Sequence, residues 1–460
     1  MMSLAMTFSE LRKRHPRLIY DNFDLSEKKG NLQISFSFIL EPDIVFSPKV
    51  SIPMLGHDIN LEEISGLVFN LGLIEALSYW KSACPPEMVV KAGHLTEQQT
   101  AWWHDLFIHG LGEFFFQNDI DFTQPDFFSI SSGDKEWNRL PAQSTPLSGD
   151  LLMVGGGKDS VVTLETLKDT SERKNAFMLN PNRNSLDSAR LAGFKNPVAI
   201  KRTIDSKLLD LNKEGYLNGH TPFSAYLAFL GILVAYLHGF KHIISSNELS
   251  SGEENLIFHG IKVNHQYSKS YRFEKLFREY SAGYLTGDVG YFSFLRPLFE
   301  LQIARLFSKY SRFDNLFISC NVNKGESWCG HCPKCAFAYL SLFPFMEDDR
   351  LKKIFGSDLF EQPEIQRHIL DLTGLGPHKP FDCVGTKEES VVAIALAIKK
   401  YQANHNPIPN FLLSLRQKLN FSDEDIKQAS DKLMANWSNE NFLPPEYARL
   451  LKERIFSLKK

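Results

Sequence analysis

The chain of 460 residues contains no apolar run that approaches 18 uninterrupted positions, the length at which a membrane-spanning helix becomes the natural reading. Its opening stretch, MMSLAMTFSELRKRHPRL, holds no apolar core long enough for a signal peptide. Both absences point to a cytoplasmic protein that does not engage a membrane. A basic excess is missing too, since 51 Lys and Arg face 54 Asp and Glu for a net charge of -3. A protein that grips nucleic acid through many phosphates needs a positive surplus, so this balance favours a small-molecule substrate. Cysteine is scarce, with six in the whole chain. In a reducing compartment such thiols stay unpaired, and clustered ones indicate metal or catalysis before disulfides. The length suits two or three domains at about 100 to 200 residues each. Nothing in the sequence bears on oligomeric state.

The stretch that organises the rest is Leu151 to Leu167, LLMVGGGKDSVVTLETL. An apolar strand, a triple glycine and a helix opening at Ser160 make a phosphate cradle, because glycine lets backbone N–H groups approach an anion and the helix dipole favours it. Lys158 adds a positive charge, and Asp159 can hold a magnesium ion that bridges phosphates. A Walker loop would need glycine at Leu152 and a hydroxyl at Asp159, and a dinucleotide fingerprint would need glycine at Ser160, so both are excluded. What remains resembles the SGGxDS loop of the ATP-pyrophosphatase superfamily, with Gly155 in place of the first serine. That resemblance implies ATP bound through Gly155, Gly156, Gly157, Lys158, Asp159 and Ser160.

Before the loop, residues 1–148 read as a separate α+β domain. Leu32, Ile34, Phe36 and Phe38 alternate with polar residues as in a half-buried strand, with residues 45–52 as its partner. Asn60 is positioned to cap a helix through Trp80, and a second helix covers Glu97 to Phe115. His104 and His109 read as core or surface histidines. The Pro-, Ser- and Gly-rich stretch 124–148 reads as a linker. From Gly149, short apolar runs alternate with helical stretches, the pattern of a doubly wound parallel sheet whose ligands sit beyond the carboxyl ends of strands. Asn180, Asn247 and Glu248 occupy such ends, and Asn180 is the expected contact to adenosine. In NGHTPFSA, Thr221 and Ser224 precede a long apolar helix, with Thr221 as a possible N-cap and Pro222 at the first helical position. SNELSSGEEN and VNHQYSKSYRFE concentrate amides, hydroxyls, His265, Tyr267 and Lys269 in loops, which favours a substrate pocket over a solvated surface.

Cys320, Cys329, Cys332 and Cys335 follow a C-x8-C-x2-C-x2-C spacing. Four thiolates at such spacing can converge on one tetrahedral ion, which makes structural zinc the leading expectation over an iron–sulfur cluster, a redox site or free thiols. Cys383 stands alone in a loop before a helix beginning near Lys387, where the helix N-terminus lowers a thiol pKa. It is either an acid–base group or an inert buried thiol. Residues 346–460 are mostly helical, with an N-cap signal at Ser422.

Two families carry these motifs. Within a PP-loop domain expected over residues 149–345, the core from Gly149 to about Leu342 is similar to 7-cyano-7-deazaguanine synthase, which shares the pyrophosphate loop and a late CGxCxxC cluster. The chain more closely resembles the UDP-N-acetylmuramoyl-L-alanyl-L-glutamate epimerase (MurL) family through VGGGKDS, NGHTPFSA, SNE, VNHQYSKSYRFE, CGHCPKC and FDCVGTKEE. The resemblance implies a PP-loop (HUP-type) core with an N-terminal α+β domain and a helical tail. It implies ATP-dependent inversion of the terminal L-Glu of UDP-MurNAc-L-Ala-L-Glu through an acyl-adenylate, releasing AMP and diphosphate. His265, Cys383, Glu248 and Lys269 become candidates for moving the Cα proton. Substrate contacts are expected from Thr221, Ser224, Asn247, Asn264, Gln266, Tyr267, Ser268 and Lys269. The competing expectation is an ATP-dependent enzyme that modifies a deazaguanine or a tRNA base.

Overall fold

A computed structural model describes residues 6–54, 60–142, 145–170, 173–323 and 326–457. The strands before residue 149 are β1 (Arg17–Lys28), β2 (Asn31–Leu40), β3 (Ile44–Phe46), β4 (Lys49–Pro53), β5 (Glu87–Val90) and β6 (Ser129–Ser132). Those after it are β7 (Asp150–Met153), β8 (Lys174–Leu179), β9 (Val198–Thr203), β10 (His242–Ser245), β11 (Leu256–Phe258), β12 (Ile261–Val263) and β13 (Gly290–Ser293). Strands β11 and β12 form a small separate hairpin, and the other eleven share one sheet.

The strand order β13-β10-β7-β8-β9-β4-β2-β1-β5-β6 explains where the site lies. The first five strands are mutually parallel. Taken in chain order they run 3-2-1-4-5 from β9 to β13, so the winding reverses between β7 and β10, which is where ligands settle in doubly wound sheets. Successive residues point to opposite faces of a strand. Leu151, Phe177, Ile243 and Tyr291 accordingly enter a core with the helices Ser65–Trp80 and Phe223–Leu237. Their neighbours Leu152, Met178, Ile244 and Phe292 enter a second core with the helices Lys158–Leu167 and Pro333–Leu342.

The sheet runs on through the expected boundary at residue 148. Strand β4 pairs antiparallel with β9, Val50 opposite Arg202, so the first half adds its own strands to the edge of the parallel core. Alternation in β2 places Leu32, Ile34, Phe36 and Phe38 in the interior as expected. The stretch 124–148, expected to be only a linker, contains β6, which pairs with β5. Asn60 caps no helix: its Oδ1 accepts from the Glu62 amide, a local turn, and the helix begins at Ser65. Thr221 likewise caps no helix: the helix after it starts at Phe223, and Pro222, expected at the first helical position, is its N-cap residue.

The tail is helical as expected, and Ser422 and Asp425 form a reciprocal capping box. The helix Pro445–Phe456 docks through Tyr447, whose hydroxyl donates to the fully buried Asp150 of β7. Residues 458–460, read as the end of this helix, lie outside the described residues. Among the described residues, no helix is long and apolar enough to cross a membrane.

Candidate active site

A cavity of about 550 Å³ opens at the switch point, beyond the carboxyl ends of β7 and β10. Its floor is the glycine loop. Gly156 takes a left-handed φ of 87°, and a Cβ there would lie 3.1 Å from the Ser185 side chain, which explains the glycine. Gly155 and Gly157 line the cavity, and Gly157 is the N-cap of the helix Lys158–Leu167 with no side chain capping it. The first-turn amides are thus left for an anion. Ser160 Oγ accepts from the Gly155 amide at 3.2 Å and fixes the loop.

Lys158 is nearly buried, with its ammonium 2.7 Å from Asp159 Oδ1 and hydrogen-bonded to Glu300. Burial alone would lower its pKa, but Asp159 and Glu300 outweigh that and raise it, so the charge is permanent. Asp159, Glu248 and Glu300 converge with their oxygens within 4.8 Å of one another. Burial pushes the carboxyls of Glu248 and Glu300 up, and the Asp159 charge adds to both shifts. Three crowded hard oxygens facing a phosphate cradle are a donor set suited to magnesium.

The strand-end expectations divide. Asn247, Glu248, Lys269 and Ser224 line the cavity. Asn180 does not: its carboxamide is engaged on both sides by the backbone of Arg202, donating at 2.8 Å and accepting at 2.9 Å, and Asn182 lines the cavity nearby. Thr221 faces a small separate pocket beside Arg202.

The residues expected from VNHQYSK mostly support the wall from behind. Asn264 donates to Ser251 O at 2.9 Å, Gln266 to Val384 O at 3.2 Å, and Tyr267 to Asp105 at 2.6 Å, while Ser268 is buried. The Gln266 contact, with Asn255 donating to Pro380 O at 2.7 Å and Lys379 paired to Glu253 at 2.8 Å, pins the loop that presents Cys383 to the cavity. His265 lies directly behind Cys383, its Nε2 3.9 Å from the sulfur.

Four participants escaped the sequence reading. Glu113 and Glu300 sit in ordinary helical stretches and Lys334 sits between two cluster cysteines in CGHCPKC, and only the fold brings them to the site. Arg296 is the fourth, buried with Glu274 at 3.0 Å. Its guanidinium also donates to the carbonyls of Glu248 and Lys269, which holds two cavity residues in register. Arg296→Met should strand the buried Glu274 charge and lower stability by about 3–5 kcal/mol, with turnover falling alongside. An unchanged denaturation midpoint would dismiss this clamp.

The four cysteines of the cluster come together at the cavity's edge. Sulfur–sulfur separations of 3.9 Å (Cys320–Cys332), 3.6 Å (Cys329–Cys335) and 3.5 Å (Cys332–Cys335) match the edge of a tetrahedron, about 3.8 Å for metal–sulfur bonds of about 2.3 Å. The donor set therefore fits one zinc ion. His331 is exposed, and its Nδ1 bonds the Cys329 carbonyl, so it is spare as expected.

The chain matches the MurL N-terminal domain over residues 9–294 and the MurL C-terminal domain over residues 316–427. A protein of Micromonospora sp. named UDP-N-acetyl-alpha-D-muramoyl-L-alanyl-L-glutamate epimerase is 32% identical over 422 residues, 88% of this chain and 91% of its own. Proteins of the same name from Salinispora tropica and Xanthomonas oryzae pv. oryzae are 34% and 31% identical, covering 83% and 92% of this chain and 82% and 93% of their own. No solved structure matches the chain. Matched by both domain models and by named relatives over most of its length, the chain belongs to the MurL epimerase family and is an enzyme of the isomerase class.

Proposed function

We propose that the protein inverts the terminal L-Glu of UDP-MurNAc-L-Ala-L-Glu to D-Glu in cytoplasmic peptidoglycan precursor synthesis, using ATP in a PP-loop (HUP-type) site. The observation that carries this reading is a single cavity lined at one end by Gly155, Gly157 and Lys158 and elsewhere by Lys269, Glu248 and Cys383. Phosphate-binding groups and groups able to move a proton thus serve one bound substrate.

The glutamate α-carboxylate attacks the α-phosphorus of ATP, and pyrophosphate leaves into the loop amides and the Lys158 ammonium, which stabilise the charge that builds on it. Magnesium, held by Asp159, Glu248 and Glu300, supplies further neutralisation of phosphate charge when bound. Adenylation converts a carboxylate, whose charge opposes a neighbouring carbanion, into a mixed anhydride whose Cα proton is far more acidic. Proton removal, return to the opposite face and hydrolysis then yield the D-Glu product, with ATP and water consumed and AMP and pyrophosphate formed. Zinc held by the cysteine cluster would tie Cys320 and Cys329 to Cys332 and Cys335 at the start of the helix Pro333–Leu342 and would take no part in the chemistry.

Incubation with ATP, Mg2+ and UDP-MurNAc-L-Ala-L-Glu, followed by resolution of the glutamate enantiomers and of AMP, tests the reading. D-Glu should appear only with ATP and with stoichiometric AMP. Inversion without ATP, or ADP in place of AMP, would overturn it.

A further inference from the structure

The wall of the cavity carries a constellation that adenylation does not use. Cys383 faces the cavity, and its Sγ lies 3.9 Å from Nε2 of His265. The other ring nitrogen, Nδ1, is hydrogen-bonded to Glu113 Oε2, which also lies 3.6 Å from His220 Nδ1. A thiol, an imidazole and a carboxylate are therefore connected in series, with the sulfur at the cavity and the carboxylate behind it. Glu113 comes from the first half of the chain, from the helix Gly112–Gln117.

The charges around the sulfur favour the thiolate. Burial opposes ionisation of Cys383, but Lys269, Lys334 and His265 together outweigh it and pull the thiol well below its ordinary range; Asp382 is the acidic neighbour. Burial equally opposes the His265 cation, yet Cys383 and Glu113 raise its pKa to about 9. His220 is neutral at physiological pH, lowered to about 3 by burial and then by His265, Lys81 and Lys269. The charged partner of His265 on that side is accordingly Glu113.

We infer that Cys383 removes the Cα proton of the activated glutamate, with His265 and Glu113 as positioning residues that fix the orientation and charge of the sulfur. The inference rests on the adenylation reading above. The thiolate sulfur forms a bond to the Cα proton, and the C–H pair moves into the acyl group as an enolate. A proton of solvent origin then closes the opposite face of Cα, and the thiol returns its proton to solvent. The sulfur forms no bond to carbon and its oxidation state is unchanged. A thiolate suits the task because the surrounding cations keep it ionised at neutral pH and the group is itself uncharged once protonated.

The test runs two half-reactions in parallel on the full-length protein with ATP, Mg2+ and UDP-MurNAc-L-Ala-L-Glu in D2O. Exchange of labelled pyrophosphate into ATP reports adenylation, and deuterium at the glutamate Cα reports proton transfer. Cys383→Ala should still exchange pyrophosphate while deuterium entry slows on the order of 100-fold or more. Glu113→Gln should slow deuterium entry roughly tenfold at pH 7 and move the acid limb of its pH–rate profile upwards. Without the carboxylate, His265 holds its proton less firmly, and the thiolate loses a cation. Peptide-resolved alkylation of Cys383 by iodoacetamide should shift with pH in the same direction. Deuterium entry at the wild-type rate in Cys383→Ala would overturn the inference, as would an unmoved acid limb in Glu113→Gln. Loss of both half-reactions in Cys383→Ala would also overturn it, because the thiol would then serve adenylation or folding. Absence of pyrophosphate exchange in the wild-type protein would instead remove the adenylation reading.

Discussion

Asp159→Ala is expected to cut pyrophosphate release from ATP by on the order of a thousandfold, while zinc content and thermal midpoint stay at wild-type values. The two halves of this expectation have separate causes. Asp159 is one of three carboxylates whose oxygens lie within 4.8 Å of one another, and it holds the Lys158 ammonium at 2.7 Å. Its removal takes a carboxylate from the set proposed to hold magnesium and lets Lys158 swing wholly towards Glu300, away from the place where phosphate charge is proposed to build. Yet the side chain is about three-tenths exposed and lies at the mouth of the helix, outside both cores, so the fold loses little. Asp159→Asn sharpens the comparison, since it can still accept from Lys158 but lacks the charge. Pyrophosphate release in Asp159→Ala at even a tenth of the wild-type rate would dismiss the loop as the site of ATP cleavage.

Cys332→Ser is expected to act in the opposite order, lowering stability by about 4 kcal/mol or more and emptying the zinc site before it alters turnover per folded molecule. Cys332 is buried, immediately precedes the helix Pro333–Leu342, and is within 3.5 Å of one cluster sulfur and 3.9 Å of another. Serine oxygen is too short and too weak a ligand to complete a thiolate tetrahedron, and zinc binding free energy is folding free energy. Calorimetry paired with metal analysis checks both parts. A variant with its midpoint intact but no turnover would put the cluster in the chemistry, a result made conceivable by Cys320, which reaches the cavity wall itself.

The features legible in the sequence were those written in short, contiguous spans. Alternation placed β2, the triple glycine placed the loop before its helix, Ser422 marked a real helix start through local side-chain bonds, and the helix expected near Lys387 begins there. Where tertiary contact overrode a local signal, the reading departed from the structure. Asn60 and Thr221 have cap chemistry, but each precedes the true helix start by several residues or by a proline. Asn180 looked available because it follows a strand, but the neighbouring β9 consumes its amide. The site followed the same division. Lys158, Asp159, Glu248, Lys269 and Cys383 belong to distinctive motifs, whereas Glu113 and Glu300 are unremarkable letters in helical stretches and Arg296 lies in the turn after β13. Glu113 and Glu300 reach their partners only because the fold brings segments more than a hundred residues apart into contact, and Arg296 because the loops carrying Glu248, Lys269 and Glu274 converge on it.

The pairing of β4 with β9 also dictates how the chain can be divided. A fragment beginning at residue 149 would leave the backbone amides and carbonyls of Lys201 to Thr203 facing water with no neighbouring strand. Such a bare edge recruits the same edge of another molecule. It would also lose the Glu113 anchor behind His265. Expression of residues 149–460 alone would therefore give a self-associating product with a disordered wall behind Cys383, and biochemical dissection of this enzyme calls for point substitutions in the intact polypeptide.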